Sequence, residues 1–331
     1  MRTVEEKVMF IDEEKSADDR VMYYGKGDVF VFRTYATPLT NITNVPESDF
    51  TGRENVIFGM NIQVSFRGEK FLPSFTEGDN SMIIATDSMK NFILAHAAKY
   101  EGATMEGFLQ FVAERFLDKY DHIEAVELSS DEIPYDTVKI HDGSSIVESD
   151  LVYNCSRNEY STASVEVTRT NEGYKLTKQT GGISDLHLIK VSGSSFYGYI
   201  QDEYTQLPET NDRPLFIFLD LSWIYQDMRD GTGDNPERYV AAEQVRDIAV
   251  TVFHELYNNS IQHLINEIGL RVLQRFPQLD QIRFKTNNRT WEPVIQDIEG
   301  SKGQVHTEPR PPYGFQGFTV TRKDLENKGN K

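Results

Sequence analysis

Thr104–Leu128 reads TMEGFLQFVAERFLDKYDHIEAVEL, and Ser260–Phe284 reads SIQHLINEIGLRVLQRFPQLDQIRF. The two stretches align without a gap at a constant offset of 156 residues. Their apolar positions fall in register: Met105 with Ile261, Phe108 with Leu264, Leu109 with Ile265, Val112 with Ile268, Phe116 with Val272, Leu117 with Leu273. Tyr120 and Phe276, Ile123 and Leu279, Val126 and Ile282, Leu128 and Phe284 continue the match. Up to Phe116 the spacing is helical and makes one apolar stripe; beyond Tyr120 it shortens towards that of a strand. Each stretch therefore predicts helix, tight turn, strand. Matched positions that run through such a switch point to a tandem duplication.

Upstream of each repeat the pattern recurs. A helix is expected over Asp87–Tyr100 and another over Pro236–Tyr257, with Pro236 suited to a first turn. Before them lie alternating strands: 58–66, with Phe58, Met60, Ile62, Val64 and Phe66 on one face, and 215–223, with Leu215, Ile217, Leu219, Leu221 and Trp223 on one face. Asp28–Ala36 and Ser184–Ser192 read as the first strand of each pair. Further strands are expected around 151–155, 160–169 and 314–320. Strand pairs followed by helix pairs predict an α+β fold: two tandem ββαα-type units, antiparallel sheets, helices on one face. The expected division is an acidic leader at 1–20, a first unit at 21–156 and a second at 157–331. Strands apolar on both faces need further cover, from another subunit or a closed barrel.

Composition narrows the function. The 331 residues carry 34 basic and 52 acidic side chains, a formal net charge of -18. That balance argues against general nucleic-acid binding and against docking on an anionic membrane. A single cysteine, Cys155, allows no intrachain disulfide, fits a reducing cytoplasm and supports no Cys-rich zinc site. No secretory signal or SKL-type peroxisomal address is read, and no apolar run reaches the length of a membrane span. HExxH, GxSxG and P-loop patterns are absent, and the seven histidines form no close ligand pair, so no metal is expected.

Several segments hold residues that a packed core does not need. Lys26 precedes a strand in YYGKGDV. Thr86 and Asp87 open a helix, where either is a good N-cap and where free N–H groups also suit an anion. Taken singly, each of these fits an ordinary structural role. In order, YYGKGDV, GDNSMIIATDSMKNFI, SGSSFYGYIQDEYTQLPETNDR, NNSIQHL, TNNRTW and TEPRPPYGFQGF resemble the urate oxidase (uricase) family, closest to bacterial members of the Bacillus type. The likeness runs from Val21 to about Asp324.

The resemblance implies two T-fold units per chain, a homotetramer whose subunits close a tunnel, and active sites shared between subunits. It implies oxidation of urate by O2 and water to 5-hydroxyisourate and hydrogen peroxide, with neither metal nor organic cofactor. Lys26 and Thr86 match the catalytic dyad, in which the lysine draws a proton through the threonine hydroxyl. Phe196 matches the aromatic on which the purine stacks, Arg213 the bidentate clamp on its pyrimidine edge, and Gln262 the amide on the other side. Asp87 and Ile261 match backbone contacts to the ligand. Asn288 matches the residue holding oxygen or water above the purine. Lys26 and Thr86 are expected from one chain, the remainder from its neighbour. Many members carry Asn-x-His where this chain has Asn288-Arg289-Thr290, so Thr290 stands where the family's relay has a base. Two other readings exist: a T-fold purine or pterin enzyme such as a cyclohydrolase, and a non-catalytic purine-binding protein.

Overall fold

A computed structural model describes residues 20–289 and 291–329. Thr290 and the expected leader, Arg20 excepted, lie outside the described residues. The first half runs β1 (Tyr24–Thr34), β2 (Ile57–Arg67), α1 (Leu72–Thr76), α2 (Thr86–Ala97), α3 (Met105–Lys119), β3 (Ala125–Glu132), the separate hairpin β4 (Asp136–His141) and β5 (Ile146–Asn154), then β6 (Tyr160–Thr170). The second half repeats it: β7 (Gly173–Lys190), β8 (Leu215–Tyr225), α4 (Ala242–Glu255), α5 (Ile261–Arg275), β9 (Leu279–Asn288), a small hairpin β10 (Glu292–Ile295) and β11 (Val305–Thr307), β12 (Gly314–Thr321) and a last helix α6 (Arg322–Gly329).

One antiparallel sheet of eight strands joins the halves in the order β1-β2-β3-β6-β7-β8-β9-β12. The α+β reading holds, and the repeat is a helix followed by a strand in both copies. Alternation puts Ile62, Val64 and Phe66 of β2 against Phe108, Val112 and Phe116 of α3. Ile217, Leu219 and Leu221 of β8 meet Leu264, Ile265 and Ile268 of α5 in the same way. Each fully buried side chain of this kind contributes about 2 kcal/mol. Ala163, Val165 and Val167 of β6 are buried in the first cluster, and Ile183 and Leu186 of β7 in the second. We propose that the first unit extends through β6 and ends in the turn before Gly173, beyond the expected division at 156.

The halves also share their fastenings. Thr104 and Ser260 cap α3 and α5, each hydroxyl accepting from the N–H three residues on, Gly107 and His263. At the other end Arg169 donates to the carbonyls of Leu117, Tyr120 and Ile123, and Arg322 to those of Leu273, Phe276 and Leu279. Each guanidinium thereby meets the free carbonyls and the negative end of a helix.

Two expectations are corrected. The helix placed at 236–257 is a 3-10 turn, Pro236–Arg238, followed by extended backbone and then α4 from Ala242. The break exists because Tyr239, Val240 and Ala241 are buried and the Tyr239 hydroxyl reaches Glu106 in the other half. Neither Thr86 nor Asp87 caps α2; Ala85 occupies that position and provides no side-chain acceptor. The strand expected near 151–155 is present, as β5 of the separate β4–β5 hairpin. No barrel closes within one chain: β1 and β12 are the sheet's two edges, and Phe30, Phe32 and Phe318 are exposed on them. No helix among the described residues is long and apolar enough to cross a membrane.

Candidate functional site

The residues singled out from sequence fall into two groups at opposite ends of the sheet. On β1 the pairing with β2 slips between Lys26 and Val29, where Asp28 adopts a left-handed conformation (φ 52°) and accepts from Asn61 Nδ2 at 3.1 Å. The bulge lets Tyr24 and Lys26 share a face with Val29 and Val31, towards α2. The Tyr24 hydroxyl accepts the Ile84 N–H at 2.9 Å, tying the entry to α2 beside Lys26. Burial raises the Tyr24 pKa, which keeps that hydroxyl neutral. Thr86 is the first residue of α2, behind a cap with no side-chain acceptor.

The bare cap costs α2 about 1 kcal/mol. Met89 and Ile93, fully buried in the core, outweigh that. The result is a helix N-terminus with its N–H groups left for something else. Asp87 is exposed, and its carboxyl is held below the usual range by Lys90, with a contribution from the Lys26 charge.

The second group surrounds the N-terminus of α5. Phe196 makes a two-bond bridge with Thr210 (2.7 and 3.0 Å), and its ring stacks on Tyr199 at 4.7 Å and 17°. The Arg213 Cζ lies 5.5 Å from the Phe196 ring centre. Its backbone is pinned to Ser194 O at 2.8 Å, while Asp212 next door accepts from Ser192 Oγ and Gly193 N, both at 2.7 Å. Burial lowers the Arg213 pKa, and its Nε is buried with no partner among the described residues. A planar donor group in that condition is poised for an acceptor from outside.

The same loop docks on the approach to α5: Ser195 N donates to Asn258 O at 2.7 Å and Asn258 N to Gly193 O at 3.0 Å. Ile261, buried, and Gln262, exposed, are the first two residues of α5. Asn288 ends β9, opposite Ile217 and Gly314, and continues the row Ile282, Phe284, Thr286 that faces α5. Its Oδ1 accepts from Gln316 Nε2 at 3.4 Å. The next residue, Arg289, has its guanidinium 4.0 Å from the Phe218 ring centre and 4.7 Å from that of Tyr313.

The structure thus gathers Phe196, Arg213, Ile261 and Gln262 at one end, with Asn288 on the same side of the sheet. It gathers Lys26, Thr86 and Asp87 at the other. It does not bring the groups together in one chain. Six strand spacings separate β1 from β9, ~29 Å along the sheet. Sequence reasoning gave no role to Tyr24, Asp212 and Asn258, which hold the site rather than form it, although each lies inside one of the quoted motifs. No group of three or more His, Cys, Asp or Glu among the described residues is arranged to hold a metal ion.

Comparison with known proteins gives one answer. The family described as Uricase matches residues 22–164 and 179–316, two segments whose break falls at the β6–β7 hairpin. The chain is 53% identical over 311 residues to the "Uric acid degradation bifunctional protein" of Bacillus sp. (strain TB-90), covering 94% of this chain and 62% of that one. It is 54% identical over 309 residues to the "Uricase" of Haloferax volcanii, covering 93% of this chain and all of the other. The chain therefore spans less than two thirds of the bifunctional relative's length. Among solved structures, a uricase from Bacillus fastidious superposes with a TM-score of 0.92 at 59% identity, over 95% of this chain and 97% of that one. The Bacillus sp. TB-90 urate oxidase gives 0.89 at 54%, over 91% and 100%.

Proposed function

The chain belongs to the uricase family, and from that premise we propose that it oxidises urate with O2 in the cytoplasm. The observation that carries the reading is the Arg213 guanidinium beside the Phe196 ring and the N-terminus of α5. A flat anion fits there: the ring stacks on Phe196, Arg213 forks onto one edge, and Gln262 and the Ile261 N–H take the other. Asn288 holds oxygen or water against the ring face.

Lys26 and Thr86 come from a second copy of the chain, since within one chain the sheet keeps them apart. Thr86 passes a proton from urate to Lys26, and the uncapped α2 N-terminus, at Asp87, steadies the negative charge. Urate deprotonated in this way is electron-rich and passes two electrons to O2. Water then adds to the oxidised ring, so urate, O2 and water become 5-hydroxyisourate and hydrogen peroxide, with every atom accounted for. The protein supplies position, proton transfer and charge stabilisation, without metal or organic cofactor. With threonine at 290, the relay runs through Lys26, Thr86 and ordered water. The assembly is a homotetramer.

The test is chelator-treated protein mixed with urate in air. One O2 consumed and one peroxide formed per urate support the reading; no oxygen uptake rejects it.

A further inference from the structure

The residues placed at the urate junction have counterparts inside the chain, at the junction of its own two halves. The bulge of β1 recurs in β7, between Ile183 and Leu186, with Asp185 left-handed as Asp28 is. Ile183 thus stands where Lys26 does. Ala242 opens α4 behind Ala241, another cap without a side-chain acceptor, as Thr86 opens α2 behind Ala85. The bridge Leu39–Arg53 repeats Phe196–Thr210. Glu106 is the second residue of α3, as Gln262 is of α5. Glu132 ends β3 opposite Met60, as Asn288 ends β9 opposite Ile217.

The frame is the same, and the chemistry is reversed. Lys26, Thr86, Gln262 and Asn288 are replaced by Ile183, Ala242, Glu106 and Glu132. Beside them lies a cavity of about 730 Å³, roofed by the β4–β5 hairpin, with seven carboxylates in its wall against three guanidiniums. Glu243 lines it, is 8% exposed, and keeps one carboxylate oxygen, Oε2, buried without a partner among the described residues. The bound chemistry is already on display: the Arg53 guanidinium sits between Glu132 at 2.7 Å and Glu243 at 3.2 Å. Burial pushes Glu106 up to about 7, even with the Arg53 charge acting to lower it. Trp223, Phe58 and Tyr153 add aromatic wall.

We propose that this cavity is a second ligand site, a charge-inverted copy of the junction assigned to urate, which takes a planar organic cation of the amidine or guanidine class. One N–H of a flat cation matches the free Oε2 of Glu243, as Arg53 matches Oε1, and its second N–H is left for another carboxylate of the wall. The inference stands on the repeat and the cavity, so it can fail while urate turnover stands, and the reverse.

The experiment is a calorimetric titration of the intact wild-type protein with benzamidine, whose ring approaches purine size, and with benzoate, the same ring carrying the opposite charge. Saturable binding of one benzamidine per chain is expected below about 1 mM, and none of benzoate. Glu243→Gln is expected to weaken benzamidine roughly tenfold or more, as does loss of a charged hydrogen bond elsewhere. Glu106→Gln, which keeps the acceptor for Tyr239, serves if that variant does not fold. Absence of saturable benzamidine binding overturns the proposal. So do equal binding of benzoate, affinity unchanged in every variant that folds, and displacement by urate, which places the cation at the other junction.

Discussion

The two halves of this molecule share a frame down to the bulge, the bare helix cap, the capped second helix and the arginine that closes it, yet at matched positions they carry opposite chemistry. Lys26 and Thr86 stand where the second half has Ile183 and Ala242. Gln262 and Asn288 stand where the first half has Glu106 and Glu132. The difference teaches that the frame alone is not the site: it offers a helix N-terminus beside a strand bulge twice, and only the residues placed on it decide what is done there. At the internal junction Arg53 bridges Glu132 and Glu243, while the matching residues near the two ends of the sheet stay apart within one chain and are the ones proposed to meet in a second copy.

Exchanging residues between the halves breaks the comparison most forcefully. Lys26→Ile installs the second half's residue and is expected to lower kcat roughly a thousandfold, in line with loss of a general base, while circular dichroism and oligomer size stay as they are. Ile183→Lys, the reverse exchange, is expected to create no second activity. Turnover retained in Lys26→Ile would show that the halves do not differ where it matters.

Glu106→Gln probes the reversed half. Burial raises the Glu106 pKa to about 7 from the ordinary 4.5. The folded protein therefore holds a proton that the unfolded chain has already released. This stabilisation is complete below the unfolded pKa and is lost as pH rises through 7. Glutamine has no proton to lose, so at pH 8–9 the variant is expected to exceed the wild type by about 3 kcal/mol, the gap closing towards pH 4.5. Denaturant unfolding across that range checks it, and a gap independent of pH would contradict the cause given.

Arg213→Ala tests the other side of the proposed urate junction. A rise in KM of roughly ten- to a hundredfold is expected from steady-state kinetics, with Arg213→Lys recovering little because the planar fork is lost. The smallest effects concern the shared frame. Arg169→Ala and Arg322→Ala are each expected to cost about 2 kcal/mol in thermal or denaturant unfolding, and by similar amounts, because each loses three matching carbonyls, two at a helix end and one in the turn to the next strand. Unequal losses would show that the halves are not held alike.

Much of this was legible in the chain. The helix-then-strand switch of 104–128 and 260–284 is written in local spacing, and the family likeness rests on contiguous motifs around Lys26, Thr86 and Arg213. What was not legible depends on partners far away in sequence. Arg53 finds Glu132, 79 residues on, only when β1, β2 and β3 align. Tyr239 breaks the expected helix because Glu106 waits in the other half. Ala85 and Ala241 are poor caps by propensity, and only the buried faces of α2 and α4 make them tolerable.

The central claim is that each urate site is assembled from two copies of the chain, and complementation tests it most directly. Lys26→Ile and Arg213→Ala chains are each purified, assayed at urate well below the raised KM of Arg213→Ala, where both are nearly inactive, then dissociated together and reassembled. Mixed oligomers contain some junctions with both wild-type halves, so oxygen uptake with urate is predicted to return to a sizeable fraction of the wild-type rate. If the mixed oligomers form and remain as inactive as their parents, the site is not shared between chains and the account is wrong.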